Sequence, residues 1–307
     1  MFAQVSKSDV GQARLFQGIA LSAFLVAALH LAAGSARAGP ATSAPGVGQE
    51  FEIDKRYETS QQASDGPSGS SRGRDRFLER VIGVRDSGLE LEFDLPKDAT
   101  SKDRVRNWQF PVRVFRPLSG QMQLLNGPEL EARLGSWLKA AGLTREACGK
   151  WIFTWNAFRI ECDPESVVGI VEALDLRAVD LREGVSYREP EARLPGTLTR
   201  KSAGPNGTTY AVAMEIDPDA IRRARAEADV AAGEMLQKPV TLDAALRERA
   251  KESVSGTISV VFDTDPDGNV RRRTKVTKVE TKGPAGRSES QTVMEVVERR
   301  PLQRQAQ

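Results

Sequence analysis

The chain has 307 residues, with 44 basic and 42 acidic side chains, one histidine and two cysteines. Its formal net charge of +2 creates no general field that would attract nucleic acid or an anionic membrane. The single histidine leaves little basis for the triads of familiar hydrolases or for metal centres built from imidazole ligands.

Residues 1–38 have the three parts of an export signal. Arg14 precedes an almost wholly apolar run over 15–33, and an Ala-Arg-Ala cleavage site follows at 36–38. We expect cleavage near Ala38 and a periplasmic or secreted mature protein without histidine. The alanine-rich leader and the excess of arginine over lysine are typical of a bacterial source. The alternative is an uncleaved anchor, because the apolar run is near the minimum that crosses a bilayer. Contact with the membrane is expected only in that case.

Both cysteines, Cys148 and Cys162, lie in the part that would be exported. An oxidising compartment permits a disulfide between them, and the alternative is a pair of buried thiols. Their spacing is not C-x-x-C, so redox catalysis is not indicated.

Composition and turn signals divide the chain into six segments. These are the signal peptide 1–38, a flexible tether 39–50, an α+β lobe 51–189 with a Trp-rich hairpin, a linker 190–207, a strand-helix-hairpin lobe 208–300 and a disordered tail 301–307. Within the first lobe, residues 60–74 are rich in Ser, Gly and Gln and predict a flexible loop.

The first lobe begins with strands. Phe77–Val84 and Leu89–Leu95 predict two strands around a turn, and the second alternates apolar and acidic residues as in a half-buried antiparallel sheet. A further strand is expected over Phe110–Phe115. Pro128–Ala141 predicts a helix, because proline lies at its first turn, glycine follows it and apolar residues recur on one side.

Aromatic residues then predict a hairpin. With Asn156-Ala157 as the turn, Trp151 faces Cys162, Phe153 faces Ile160 and Trp155 faces Phe158, all on one side of the hairpin. After it, Asp163 and Pro164 predict the start of another helix.

The second lobe alternates strands and helices. A strand over 210–216 precedes a helix that Asp217-Pro218 opens, that Pro239 interrupts and that Thr241 restarts. A hairpin over 256–279 and a strand over 289–297 complete the lobe. The prediction is an α+β chain with antiparallel curved sheets, half-barrel-like in form, and a few packing helices. In architecture this resembles the half-barrel of periplasmic lipoprotein carriers, but no shared motif carries the resemblance, and fold alone does not assign function.

Asp263, Asp265 and Asp267, with Gly268 following, match the first half of a calcium loop. The twelfth position is Thr274 instead of a bidentate glutamate, and strands flank the loop. The segment therefore has two interpretations, a weak calcium site and a plain hairpin turn. No other cofactor is indicated.

Three further patterns have a chemical and a structural interpretation. Ser136-x-x-Lys139 fits the nucleophile motif of penicillin-interacting enzymes but lacks the companion motifs. Alternation along a strand places Arg271, Arg273 and Lys275 on one solvated face, where they bind an anion or protect a sheet edge. The aromatic residues of 137–158 line a cleft or fill a core.

No set of residues identifies a catalytic site, so we expect an exported, non-enzymatic envelope protein that binds an apolar ligand, a lipid or a protein partner on its sheet. The alternatives are a hydrolase of envelope polymers that uses carboxylates or Ser136, and a calcium-dependent adhesion or assembly module.

Overall fold

The computed structural model describes residues 46–64, 66, 68–153, 157–284 and 286–302, without the side chains of 152, 153, 157, 158 and 178. The predicted signal peptide and cleavage site, most of the tether, and Trp155 and Asn156 of the hairpin lie outside the described residues.

Antiparallel strands make up most of the described chain. The strands are β1 (Glu50–Ala63), β2 (Gly69–Arg85), β3 (Gly88–Asp94), β4 (Val112–Pro117), β5 (Gln123–Leu124), β6 (Trp151–Phe153), β7 (Ala157–Arg159), β8 (Ser186–Tyr187), β9 (Gly196–Thr197), β10 (Thr199–Gly204), β11 (Gly207–Glu215), β12 (Ser253–Thr264), β13 (Val270–Lys282) and β14 (Ser288–Pro301). The helices are α1 (Ser101–Arg106), α2 (Gly127–Ala140), α3 (Ser166–Glu172), α4 (Pro218–Met235) and α5 (Leu242–Arg249), with single 3₁₀ turns at Arg145–Ala147 and Leu176–Ala178. The α+β prediction is therefore correct in part, since the sheet predominates. Within the described ranges, no helix is long and apolar enough to span a membrane.

Ten strands form one open antiparallel sheet in the order β10-β11-β12-β13-β14-β1-β2-β3-β4-β5. Strands from both predicted lobes belong to it, because β1 pairs with β14 from Phe51 opposite Pro301 to Ala63 opposite Glu289. The predicted linker 190–207 contains β9 and β10, and Leu198 between them is fully buried.

The prediction of a flexible loop over 60–74 is wrong for most of its length. Polar residues there extend β1 to Ala63 and begin β2 at Gly69. The ladder uses backbone groups, and β1 is paired on both edges, so low strand propensity is overcome by context. The Tyr57 ring also covers Gly73 so closely that a Cβ there would lie 2.4 Å from a ring carbon.

The two faces of the sheet differ in chemistry. The inner face carries buried apolar residues such as Ile53, Phe93 and Phe262. The outer face of the central strands carries ion pairs, in which Arg80 bridges Glu50 and Glu92 at 2.8 and 2.9 Å. This period-two separation is what the alternating sequence of β3 predicts.

Helices α2 and α3 pack into the same buried core as the inner face of the sheet. Leu130, Leu134 and Leu138 of α2 and Val167 and Val171 of α3 belong to the same buried cluster as the strand residues. The predicted helices over 128–141 and after Asp163 are thus confirmed with shifted ends. Together they cover one end of the inner face.

The predicted register of the aromatic hairpin is wrong. Trp151 pairs with Arg159, and Phe153 pairs with Ala157, so the connection is three residues long instead of a two-residue turn. In this register the backbone ladder continues from Gly149 and Lys150 to Ile160.

The predicted disulfide is confirmed. Cys148 and Cys162 lie opposite each other beyond the end of this ladder, with a Cα–Cα distance of 5.6 Å. The bond ties the base of the hairpin to the main core, because both cysteines pack against the buried cluster.

Candidate functional site

Helix α4 crosses the inner face at the end of the sheet that α2 and α3 leave uncovered. Asp217 caps it by accepting a hydrogen bond from the amide of Asp219, and Pro218 occupies its first position, as the sequence predicts. Thr241 caps α5 in the same way. The Arg249 guanidinium then joins the two helices by donating to the Asp229 carboxylate at 2.6 and 2.7 Å.

A cleft of about 330 Å³ lies between α4 and the inner face. Its residues come from α4, from the far end of β13 and β14, and from β1. They are Gln61, Ile221, Ala224, Arg225, Ala228, Val279, Thr281, Glu289 and Gln291. Ala224 and Ala228 are exposed, because their short side chains leave the space between the helix and the sheet unfilled.

Arg225 of α4 places a charged group at one end of the cleft. The Arg225 guanidinium donates to Glu289 at 3.0 Å, and its Nε lies 3.2 Å from the Glu252 carboxylate. Gln61 also donates from its amide to Glu289. Both charges of the Arg225–Glu289 pair therefore have an opposite charge beside them, although the buried Arg225 Nε makes no hydrogen bond to another described residue.

Two polar side chains in the wall of the cleft have no such partner. The Thr281 hydroxyl and the Gln291 amide make no hydrogen bond to another side chain or backbone group among the described residues, although Thr281 is only 5% exposed. They lie on neighbouring strands, in successive pairs of the β13–β14 ladder that face the same side of the sheet. The sequence analysis missed Gln61, and the signal that could have found it is the period-two pattern continuing past Tyr57.

The middle of the inner face holds a buried lysine. Lys275 donates to Glu189 and Glu191 at 2.9 Å each, and Tyr187 donates to Glu189 at 2.5 Å. Burial lowers the pKa of Lys275, but the two carboxylates outweigh it and hold the pKa above its usual value. The face of Arg271, Arg273 and Lys275 that was expected to be solvated is thus covered at Lys275, where the segment that contains β8 packs on it, whereas the Arg271 side chain remains 33% exposed.

A second buried group ties the 3₁₀ turn at Leu176–Ala178 to the sheet. Glu79 is fully buried and accepts hydrogen bonds from Arg177 at 3.1 Å and from Arg299 at 2.9 and 3.1 Å. The Arg299 guanidinium lies 3.3 Å from the centre of the Phe51 ring. Burial raises the pKa of Glu79, but the two guanidinium groups outweigh it and hold the pKa below its usual value.

Asp75, on the inner face, has a strongly raised pKa. Burial raises its pKa to about 6, against the opposing charge of Lys55, its partner across the β1–β2 ladder. Its carboxylate forms no ion pair with another described residue.

The three predicted calcium ligands are used in different ways. Asp263 accepts from the Thr209 hydroxyl at 2.8 Å, and Asp265 accepts from the backbone amide of Asn269 at 2.8 Å and from Arg271. Asp267 is exposed. In the part of the chain that the structure describes, no three His, Cys, Asp or Glu side chains form a group able to hold a metal. Asp265 shapes the hairpin turn between β12 and β13.

Ser136 is exposed on α2, and its hydroxyl donates to the Ala132 carbonyl at 3.0 Å. This is the local bond that serine commonly makes inside a helix, and it directs the hydroxyl back along the backbone instead of toward Lys139.

No family model matches the chain, and no curated protein matches it in sequence. Among solved structures, it is similar to a chain described as "Lipid-protein interactions in lipovitellin", with 8% identity and a TM-score of 0.38 over 85% of this chain and 26% of that one. It is also similar to Ail, the attachment invasion locus protein of Yersinia pestis, with 4% identity and a TM-score of 0.18 over 83% of this chain and 99% of that one. At these TM-scores neither likeness supports an assignment of fold or function.

Proposed function

We propose that the protein is an exported, non-enzymatic envelope protein that binds a lipid-like ligand in the cleft between α4 and the inner face of its sheet. The observation that carries the proposal is the cleft itself, with apolar walls from Ile221, Ala224, Ala228 and Val279 and a polar end at Arg225.

The dimensions of the cleft favour a small amphipathic ligand. Its volume of about 330 Å³ is near the lower end of the range for small-molecule pockets, roughly 300–1,000 Å³. A single acyl chain suits this space better than a lipid with two chains. The outer face of the central strands offers no comparable surface, because arginine and carboxylate pairs cover it.

Two features support an extracytoplasmic location. The N-terminal sequence has the pattern of an export signal, and the Cys148–Cys162 disulfide is of a kind that persists in oxidising compartments. N-terminal sequencing of the protein from a periplasmic fraction should give a chain that begins near Gly39. Recovery from the cytosol of a chain that begins at Met1 would contradict this part of the proposal.

A role without catalysis fits the local chemistry. Ser136 is bonded to its own helix, and the Glu189 and Glu191 carboxylates share Lys275. Both arrangements hold the side chains in structural contacts.

Ligand binding can be tested with an apolar fluorescent probe such as N-phenyl-1-naphthylamine. We expect saturable enhancement with the wild-type protein and at least a tenfold weaker affinity for Ala228→Phe, because a phenyl ring at this position occupies the cleft. Ala213→Phe is the matched control, since Ala213 is an exposed alanine of β11 outside the cleft. Equal affinity of both variants and the wild type, or no binding at all, would contradict the proposal.

A further inference from the structure

We infer that the ligand of the cleft has an uncharged polar end, so that the preferred ligand is a neutral amphiphile with one acyl chain, of the monoacylglycerol type. This inference rests on the proposed function, and it concerns the choice among lipids that would fit the same apolar space.

The first reason is that the charged groups at the cleft already have opposite charges beside them. Arg225 lies between two carboxylates, with Glu289 at 3.0 Å and Glu252 at 3.2 Å. Glu252 in turn accepts from Arg249 at 2.5 Å, and Arg249 pairs with Asp229 at 2.6 Å. This chain of alternating charges has a carboxylate at each end.

A charged ligand would have to disturb that chain. An anionic head group at Arg225 would lie against Glu289 and Glu252, and it would compete with them for the same guanidinium. A cationic head group at Glu289 would meet Arg225 in the same way. Removing one partner from a partly buried pair leaves an uncompensated charge, so either ligand incurs a cost that an uncharged one avoids.

The second reason is that uncharged hydrogen-bonding groups are free at the same place. The Thr281 hydroxyl and the Gln291 amide line the cleft and make no hydrogen bond within the described residues. A hydroxyl and a carboxamide each offer both a donor and an acceptor. They therefore match a glyceride head group, whose hydroxyls donate and accept and whose ester accepts.

The register places these two groups side by side. Thr281 pairs with Glu289 and Val279 pairs with Gln291, so Thr281 and Gln291 are diagonal neighbours on the inner face. Diagonal positions are about 7–8 Å apart, a distance that one glycerol head group can span. The apolar side chains of Ile221, Ala224 and Ala228 continue the cleft along α4 for the acyl chain.

The test compares three ligands that share one long unsaturated hydrocarbon chain: monoolein, oleate and oleylamine, each below the concentration at which it forms micelles. Each competes with N-phenyl-1-naphthylamine for the full-length mature protein. We expect monoolein to displace the probe at a concentration at least tenfold lower than either charged ligand. Equal or better competition by oleate or oleylamine would overturn the inference.

Two isosteric variants test the assigned hydrogen bonds. Thr281→Val and Gln291→Leu should each weaken monoolein binding about fivefold, the effect of one ordinary hydrogen bond, without changing the affinity for the probe. Thr277→Val is the matched control, because Thr277 lies on the same face of β13 outside the cleft. Unchanged monoolein affinity in both variants would also overturn the inference.

The two proposals fail in distinguishable ways. If the wild-type protein does not bind the probe, the proposed function fails. If the probe binds and Ala228→Phe blocks it, but charged and neutral ligands compete equally, only the inference about the head group fails.

Discussion

Replacing Glu79 by glutamine should destabilise the protein more than any loss of a surface ion pair. Glu79 is fully buried, and it compensates two arginines that are themselves largely covered, Arg177 and Arg299. Glutamine keeps the size of the side chain but leaves Arg299 without its ion-pair partner and Arg177 with Asp175 alone, at 3.5 Å. Breaking a buried pair in this way costs about 3–5 kcal/mol.

The expected shift can be stated in measurable terms. For a domain of this size, 1 kcal/mol corresponds to roughly 2–4 °C in Tm, so we expect a decrease on the order of 10 °C. The assay is thermal denaturation followed by circular dichroism, with Glu248→Gln as the control. Glu248 pairs with Lys251 on the exposed side of α5, and its loss should cost less than about 0.5 kcal/mol.

The effect of Glu79→Gln should also depend on pH. The pKa of Glu79 is lowered in the folded state, so its carboxylate stabilises the fold above the pKa of the unfolded chain. That contribution is lost as the pH falls through the lower, folded-state pKa. The difference between wild type and variant should therefore be full at pH 7 and decrease in strong acid. A midpoint shift no larger than that of Glu248→Gln at pH 7 would refute the reasoning.

Three further measurements test other parts of the structure. Because the pKa of Asp75 is raised, its protonated form stabilises the fold at pH 4, and this contribution is lost as the pH rises through about 6. Compared with the wild type, Asp75→Asn should therefore be more stable by on the order of 2 kcal/mol at pH 8 and little changed at pH 4 in thermal melts. An equal increase in stability at both pH values would contradict this. Reduction of the Cys148–Cys162 disulfide should cost about 3 kcal/mol, and an unchanged melt after complete reduction would speak against the bond. Asp265→Ala should destabilise the protein by about 1–2 kcal/mol, because Asn269 and Arg271 lose their hydrogen-bond acceptor. A melting temperature of the wild-type protein that rises with added calcium would show instead that the carboxylate binds a metal.

Capping residues in the sequence predicted where helices start. Asp217 and Thr241 identified the starts of α4 and α5, because a cap needs only its own first turn. Thr100 and Asp103 form a capping box that starts α1, and the same signal was present in the sequence but was not used.

Contacts between distant segments could not be predicted in this way. Glu79 meets Arg177 and Arg299, which come from the middle and the end of the chain, and nothing near any of the three residues indicates the others. The cleft depends on the same kind of information, since α4 reaches β1 and β14 only through the order of the sheet.

The hairpin shows a case in which two sequence predictions could have corrected each other. A disulfide between Cys148 and Cys162 places them opposite each other, and a ladder in that register pairs residues whose numbers have the same sum. The predicted pairing of Trp151 with Cys162 is not compatible with that register. The observed pairing of Trp151 with Arg159 follows from it.

The position of β1 has a consequence for how the protein is made. This strand comes first among the described strands, yet one of its two edges is completed by β14, the last of them. Pairings between such remote segments form slowly, because a long loop must close before the stabilising contacts can form. A polypeptide leaving the ribosome therefore cannot complete this sheet until β14 has been synthesised.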